Sequence, residues 1–159
     1  MPFTPFHFGV GIAAKAALAR RFSLSVFIAL QVITDLESLY NLVYQRVPVH
    51  RFLHTFLGAT VLAAVFSGVL CGILAWWSRR GVPPAARVFG WLLATALFAT
   101  WSHVVLDGIM HQDVQPFWPL TDFNPFLLVV SRSTLHLGCA VLGFFGLVAL
   151  GIQWARRVK

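Results

Sequence analysis

Charged side chains are scarce in this 159-residue chain. Asp, Glu, Lys and Arg make up 11% of the residues, whereas apolar residues make up 58%. Soluble domains carry about 25% charged residues, so the composition excludes an ordinary soluble domain and predicts an integral membrane protein. Acids are the rarest charged type, five against twelve Lys and Arg, and the formal net charge is +7. The basic residues lie in short loops between apolar runs, which membrane orientation explains, and nucleic acid is not expected as a partner.

Cysteines, repeats and linkers are also few or missing. The chain contains no internal repeat, low-complexity segment or long polar linker, which predicts a single membrane domain over residues 1–159. The two cysteines, Cys71 and Cys139, lie inside apolar runs without metal-ligand spacing. Their predicted depths in the membrane differ too much for a disulfide, so we expect two free thiols.

Long apolar runs predict an all-α polytopic membrane bundle of about five helices. Residues 52–77, 86–106 and 135–155 form runs long enough to cross a hydrocarbon layer of about 30 Å. Two earlier runs are separated by Arg20 and Arg21, and the first of them is so short that we expect it to be tilted or to span incompletely. Capping residues and prolines at helix starts predict helices over 5–20, 23–43, 49–77, 85–109 and 134–155.

The basic residues predict how the bundle is oriented. Three lie on one side of the predicted helices, namely Arg46, Arg51 and Arg132. The other side holds nine: Lys15, Arg20, Arg21, Arg79, Arg80, Arg87, Arg156, Arg157 and Lys159. Since Lys and Arg are enriched in cytoplasmic loops, this difference predicts an inner-membrane protein with a periplasmic N-terminus and a cytoplasmic C-terminus.

All six histidines and all five acids fall on the outer side of these helices. Ionisable groups are costly inside a membrane, so their shared location predicts a functional site at the outer end of the bundle. Two pairs, His50 with His54 and His103 with Asp107, are four residues apart, which places each pair on one helical face. His nitrogen and carboxylate oxygen are zinc ligands, and there are more candidates than one ion needs. We therefore predict a Zn²⁺ site, with room for two ions, formed by His7, Asp35, His50, His54, His103, Asp107 and His111.

Several residues of this outer side allow more than one interpretation. His7 is either a ligand or a histidine at the level of the lipid headgroups, and His136 is either a substrate contact or a residue that orients a ligand. Glu37 is expected at the solvated interface, and Asp35 or Glu37, if it binds no metal, could act as general base. Asp113 and Asp122 are expected to be solvated loop acids.

Arginines and aromatics on the outer side are candidates for substrate binding. Arg51 and Arg132 either extend toward lipid phosphate or hold the phosphate of a substrate, and Arg51 would also stabilise charge during catalysis. Residues 111–126, which contain Trp118, either anchor the chain at the headgroups or cover the site and admit an amphiphile from the bilayer. The predicted substrate contacts are therefore Arg51, Arg132, His136 and Trp118.

Four motifs resemble a known family across nearly the whole chain. They are TPFHFG, TDLESLY, HRFLHTFLGA, and SHVVLDG followed by PFWPL. In order and spacing they resemble the YdjM-like family of predicted bacterial inner-membrane metal-dependent hydrolases. The resemblance implies roles in the metal site for His7, Asp35, His50, Arg51, His54, His103 and Asp107. The chain departs from the family pattern at Thr34, Glu37 and Ser38, which stand where the family has Pro, Asp and His, and its histidines in the third motif are four apart instead of five. A more distant similarity is to zinc-dependent phospholipase C.

These observations favour a membrane-embedded metal-dependent hydrolase of a phosphate ester, such as a lipid, acting at the periplasmic face. The alternative is a membrane protein that binds or transports divalent metal without hydrolysis. Transport sites generally lie near the midplane between broken helices, whereas these ligands gather at one end. A bis-histidine haem protein is disfavoured by the five carboxylates.

Overall fold

The computed structural model describes residues 5–77 and 86–158. All regular structure in these ranges is helical, which confirms the predicted all-α class. The five α-helices are α1 (His7–Leu18), α2 (Leu24–Val43), α3 (Phe56–Trp77), α4 (Ala86–Met110) and α5 (Arg132–Val158), with 3-10 turns at Ala19–Arg21 and Phe52–His54. Arg79, Arg80 and Lys159, which contribute to the predicted orientation, lie outside the described residues.

Four of the helices are long and apolar enough to cross a membrane. These candidate spans are Leu24–Val43, Phe56–Trp77, Val88–Met110 and Arg132–Val158. Helix α1 has 12 residues, which at about 1.5 Å per residue give a length of about 18 Å. This is shorter than a hydrocarbon layer of about 30 Å, as expected for an incomplete span.

The N-terminus of α3 differs most from the prediction. Pro48 was expected to begin this helix, but α3 begins at Phe56. Thr55 is the N-cap residue of α3, because its Oγ1 accepts the Gly58 N–H at 2.9 Å. The segment before it leaves helical geometry at Arg51 (φ −116°, ψ −131°) and again at Thr55 (φ −108°, ψ 153°). The Asp113 carboxylate accepts the N–H groups of Val49 and His50 in this segment. The prediction that His50 and His54 share one face of one helix is therefore wrong.

Helix α1 packs parallel to α5 through small residues. A Cβ on Gly9 would collide with the Cys139 carbonyl, and a Cβ on Gly143 would lie 3.1 Å from the Gly9 Cα. Such contacts let two membrane helices approach closely. They fix α1 beside the bundle with His7 buried. Cys71 and Cys139 are both free thiols, as expected.

The buried face of α2 is apolar in the first half of the helix and polar in the second half. Its first half contributes Val26, Phe27 and Leu30 to an apolar core shared with alanines of α3 and α4. Its second half buries polar side chains on the same face: Gln31, Thr34, Asp35, Ser38 and Asn41. Because hydrogen-bonding groups buried without partners are costly, this change marks the level at which the bundle interior must supply polar partners.

Candidate metal centre

Four fully buried ligands from three elements converge at this level, and we call them the first group. Asp35 comes from α2, His54 from the 3-10 turn before α3, and His103 and Asp107 from α4. Each offers one donor atom, and the four atoms lie within 4.8 Å of one another. None of the four residues is more than 5% exposed. The structure therefore brings together four of the residues predicted to bind metal.

Asp107 makes most of the short contacts within the first group. Its Oδ2 lies 3.2 Å from His103 Nε2 and 3.4 Å from His54 Nε2. Asp35 Oδ1 lies 3.3 Å from the same His103 nitrogen. The two carboxylates and two imidazoles thus present their ligating atoms to a common centre.

Gln31 fixes the tautomer of His103. Its amide nitrogen donates to the Ala99 carbonyl at 3.0 Å, so its carbonyl oxygen must face His103 Nδ1, with which it is hydrogen-bonded. Because an amide oxygen can only accept, Nδ1 carries a hydrogen, and Nε2 is the ring atom that faces Asp35 and Asp107. In this orientation the ring, when neutral, can bind metal through Nε2.

Glu37 performs the corresponding task for His54. Its Oε2 accepts the Leu53 N–H at 2.8 Å and lies 3.4 Å from His54 Nδ1. The Ser38 hydroxyl lies 3.3 Å from Nε2, on the other edge of the ring. Glu37 was expected to be solvated at the interface; it is instead 18% exposed and holds both the backbone and the ring of the histidine-bearing turn.

A second group lies beside the first and consists of His50, His111 and Asp113. One donor atom from each lies within 4.8 Å of the others. The Asp113 Oδ2 accepts the N–H groups of Val49 at 2.9 Å and of His50 at 3.1 Å, and Oδ1 lies 2.9 Å from His50 Nδ1. Asp113 is therefore not the solvated loop acid that was expected. Asp122 is exposed, in agreement with its interpretation.

The electrostatics of the second group favour ligation. Burial lowers the pKa of both His50 and His111, so their rings are neutral, the form that binds metal. For Asp113, burial alone would raise the pKa, but hydrogen bonds from the His50 N–H and the His50 ring lower it overall. A neutral imidazole pair and an ionised carboxylate thus stand together outside the membrane-spanning helices.

Five of the six histidines form one continuous row of rings that joins the two groups. The ring centroids are 4.4 Å apart for His111 and His50, 4.7 Å for His50 and His54, and 5.2 Å for His54 and His103. The row ends at His7, which is 4.9 Å from His103 and whose Nε2 lies 3.5 Å from Asp107 Oδ1. His7 is therefore a buried neighbour of the first group and not a headgroup-level residue.

The residues of the first group fit a bound cation. Among the described residues, none is a hydrogen-bond partner of the buried His103 Nε2 or of the two buried ring nitrogens of His7. With Nδ1 of His103 facing Gln31 and Nδ1 of His54 facing Glu37, the Nε2 atoms face the carboxylates of Asp35 and Asp107. When the rings are neutral, the four ligand atoms can all bind one metal ion, and His nitrogen with carboxylate oxygen is a donor set that zinc accepts.

A cavity of about 360 Å³ adjoins the second group. The residues that line it include His50, Arg51, Thr55, Gln115 and Trp118. The exposed Arg51 is held in place because its guanidinium donates to the carbonyls of Val47 at 3.0 Å and Pro48 at 3.2 Å.

Two of the predicted substrate contacts do not line this cavity. Arg132 is exposed at the first residue of α5. His136 stacks on Phe6, with ring centroids 4.5 Å apart. Their roles in substrate binding stay predictions.

The helices and the buried site together define a multi-pass membrane protein whose interior presents a His/Asp group able to hold a metal ion. The family model for the YdjM inner membrane protein matches residues 1–158, and the chain belongs to this family. The predicted resemblance to this family is thereby confirmed, and the match together with the four apolar helices supports a multi-pass inner-membrane protein. No curated protein and no solved structure matches the chain.

Replacing Gln31 by Leu should weaken metal binding without removing a ligand. The His103 ring would lose the acceptor that fixes its tautomer, and changes to such orienting residues typically reduce metal affinity by about 10–100-fold. Thr34→Val is a matched control, since Thr34 is equally buried on α2 but its hydroxyl bonds only to the Leu30 carbonyl. Competition with a chelator of known affinity measures the effect. Equal affinities in the two variants would contradict the role assigned to Gln31.

Proposed function

We propose that this protein is a metal-dependent hydrolase of phosphate esters, with one Zn²⁺ ion bound by each group. The observation that carries the proposal is the pairing of two His/carboxylate groups, joined by a row of histidine rings, with a cavity that contains an arginine. A divalent ion bound there would acidify water and polarise a phosphoryl oxygen.

The two groups differ in a way that assigns them different tasks. The first has four ligands and is closed off from solvent, as structural metal sites are. The second has three ligands, only His50 of which is buried, and it adjoins the cavity, as sites that admit substrate do. We therefore place the reaction at the second group and assign the first group to holding α2, α4 and the 3-10 turn together.

In this arrangement, Asp35 and Glu37 have roles that differ from the general-base role suggested by the sequence. Asp35 faces His103 inside the first group, where it would be a ligand. Glu37 is occupied by the Leu53 N–H and the His54 ring, and it positions that ring. The general-base role of either carboxylate stays a prediction.

Arg51 and Trp118 are proposed to recognise the substrate. The Arg51 guanidinium has more N–H donors than its two backbone bonds use, so it can also bind a phosphate in the cavity. Trp118 is 44% exposed, next to the outer ends of the spanning helices, where aromatic side chains meet lipid headgroups. A phosphate ester with a lipid part, reaching the cavity from the bilayer, suits both residues.

A second candidate function is divalent-metal binding without hydrolysis. The complete burial of the first group favours it, because a closed four-ligand site can retain an ion without offering a position to a substrate. The two functions differ in their need for the cavity beside Arg51, because only hydrolysis requires a substrate to bind there.

We also propose that both groups face the periplasm. Consecutive helices alternate in direction, so the histidine-bearing ends lie opposite Lys15, Arg20, Arg21, Arg156 and Arg157. Because basic residues concentrate at cytoplasmic ends, this arrangement supports a periplasmic N-terminus and a cytoplasmic C-terminus.

Loss of ligands should lower bound metal and stability together. We expect the His54→Ala, Asp107→Ala double variant to retain less metal and to unfold at a lower temperature, because an ion that binds only the folded state stabilises it. Elemental analysis with thermal unfolding measures both quantities. His136→Ala is the control, since it removes a histidine outside both groups and should leave metal content unchanged. Full metal occupancy in the double variant would disprove the first site.

Arg51→Gln should separate metal binding from substrate binding. Metal content should stay as in the unaltered protein, while hydrolysis of phosphoester substrates should fall by roughly 10-fold or more, since hydrogen bonds to a charged group contribute about 1.5–3 kcal/mol. Arg46→Gln is the matched control, because Arg46 lies over the Tyr40 ring and does not line the cavity. Retained metal with no hydrolysis of any ester, even by the unaltered protein, would favour the metal-binding function.

The orientation can be tested by labelling intact cells. In a background without Cys71 and Cys139, an impermeant thiol reagent should label Gln112→Cys, which is exposed beside the second group, and should not label Arg156→Cys. Labelling of Arg156→Cys alone would reverse the orientation and place the site at the cytoplasmic face.

A further inference from the structure

We propose that the opposite end of the molecule binds the phosphate of an anionic phospholipid, in a cavity between α1 and α5. This site is separate from the metal groups and does not depend on the proposed hydrolase function. It is formed where the C-terminal end of α1 and the turn after it meet the last two turns of α5.

Three cationic side chains line this cavity, which has a volume of about 200 Å³. Lys15 and Arg20 come from α1 and its following turn, and Arg157 comes from α5. The remaining polar lining is Gln153, with Trp154 beside it. A phosphate group suits this set, because Arg and Lys donate charge-assisted hydrogen bonds to phosphate oxygens.

Lys15 and Gln153 are held in place before any ligand arrives. The half-buried Lys15 ammonium donates to the carbonyls of Ala19 at 2.7 Å and Phe22 at 2.8 Å. The Gln153 amide donates to the Ala16 carbonyl at 2.9 Å and so ties α5 to α1. An ammonium has three donors and an amide NH₂ has two, so each group keeps a donor for a ligand. A site with two fixed donors requires less ordering when it binds.

No acidic side chain neutralises these cations. The five Asp and Glu residues of the chain are Asp35, Glu37, Asp107, Asp113 and Asp122. All of them lie in the histidine-bearing half, and every ion pair among the described residues pairs one of them with a histidine. No carboxylate side chain is therefore paired with the exposed guanidinium groups of Arg20 and Arg157, which leaves them available to an external anion.

The position of the cavity indicates a lipid headgroup and not free phosphate. It lies at the end of a membrane span, where the apolar Leu150 and the 70% exposed Trp154 form one wall. Tryptophan is enriched at the headgroup level, and basic pockets between membrane helices are characteristic sites for anionic lipid headgroups. The phosphate groups of the lipid headgroups therefore lie at the same depth in the membrane as this cavity.

Two charge-matched double variants test the proposal. Arg20→Gln with Arg157→Gln removes two cations from the cavity. Arg21→Gln with Arg156→Gln removes two neighbouring cations that do not line it, one of which, Arg21, lies over the Trp91 ring. The full chain is reconstituted in vesicles of phosphatidylcholine alone and of phosphatidylcholine with phosphatidylglycerol, and its Tm is measured. Retention of phosphatidylglycerol is measured by native mass spectrometry after extraction.

Phosphatidylglycerol should raise the Tm of the unaltered chain and of the Arg21/Arg156 variant. The Arg20/Arg157 variant should lose this rise and should bind phosphatidylglycerol roughly 10-fold or more weakly, while its Tm in phosphatidylcholine alone reports that it folds. Equal losses in the two variants would overturn the proposal in favour of diffuse attraction to an anionic surface. Displacement of the lipid by millimolar inorganic phosphate would overturn it in favour of a site for free phosphate. Because neither readout involves metal or hydrolysis, failure here is distinguishable from failure of the proposed hydrolase.

Discussion

Asp107 is buried near the outer end of α4, and its two carboxylate oxygens lie within 3.5 Å of ring nitrogens of three histidines. His7 belongs to α1, His54 to the turn that precedes α3, and His103 to α4 itself. An ionised carboxylate buried alone in a membrane interior would be prohibitively costly, so its partners are a condition of the fold. The second half of α2 responds to the same constraint, because it buries Gln31 and Asp35 where its first half buries Phe27 and Leu30.

The side chains around the histidines matter as much as the histidines. Gln31 and Glu37 each hold an Nδ1 position in the first group, and Asp113 holds the Nδ1 of His50 in the second. In the first group, the Nε2 atoms of His103 and His54 face Asp107 at 3.2 and 3.4 Å. Hydrogen-bonded partners of this kind control the tautomer and orientation of a ring, and Asp113 combines this contact with its place among the three candidate ligands of the second group.

Much of this arrangement could be predicted from the sequence, because the bilayer imposes simple rules. Apolar run lengths predicted the helices, and the segregation of acids and histidines from basic residues predicted a site at one end. The start of α3 could not be predicted in this way. Pro48 has the features of a first helical residue, but the backbone dihedral angles of Arg51 and Thr55 are not helical, and α3 begins only after Thr55. The role of Asp113 was missed because its hydrogen bonds to Val49 and His50 join residues that are far apart in the sequence. Gln31 could have been noticed, since it is a polar residue one turn before Asp35, at the point where the apolar first half of α2 ends.

The close packing of α1 against α5 has a consequence for how the centre assembles. Helix α5 packs mainly on α1 and makes few contacts with α4, whereas α2, α3 and α4 pack around one apolar core. The bundle is therefore a three-helix body with a two-helix arm, and the four ligands of the first group all belong to the body or to its connecting turn. Among the five histidines of the row, only His7 belongs to the two-helix arm, and the contact of Gly9 with α5 holds it beside Asp107. The position of His7 beside Asp107 therefore depends on the packing of α1 against α5, in addition to the packing of α2, α3 and α4 around their core.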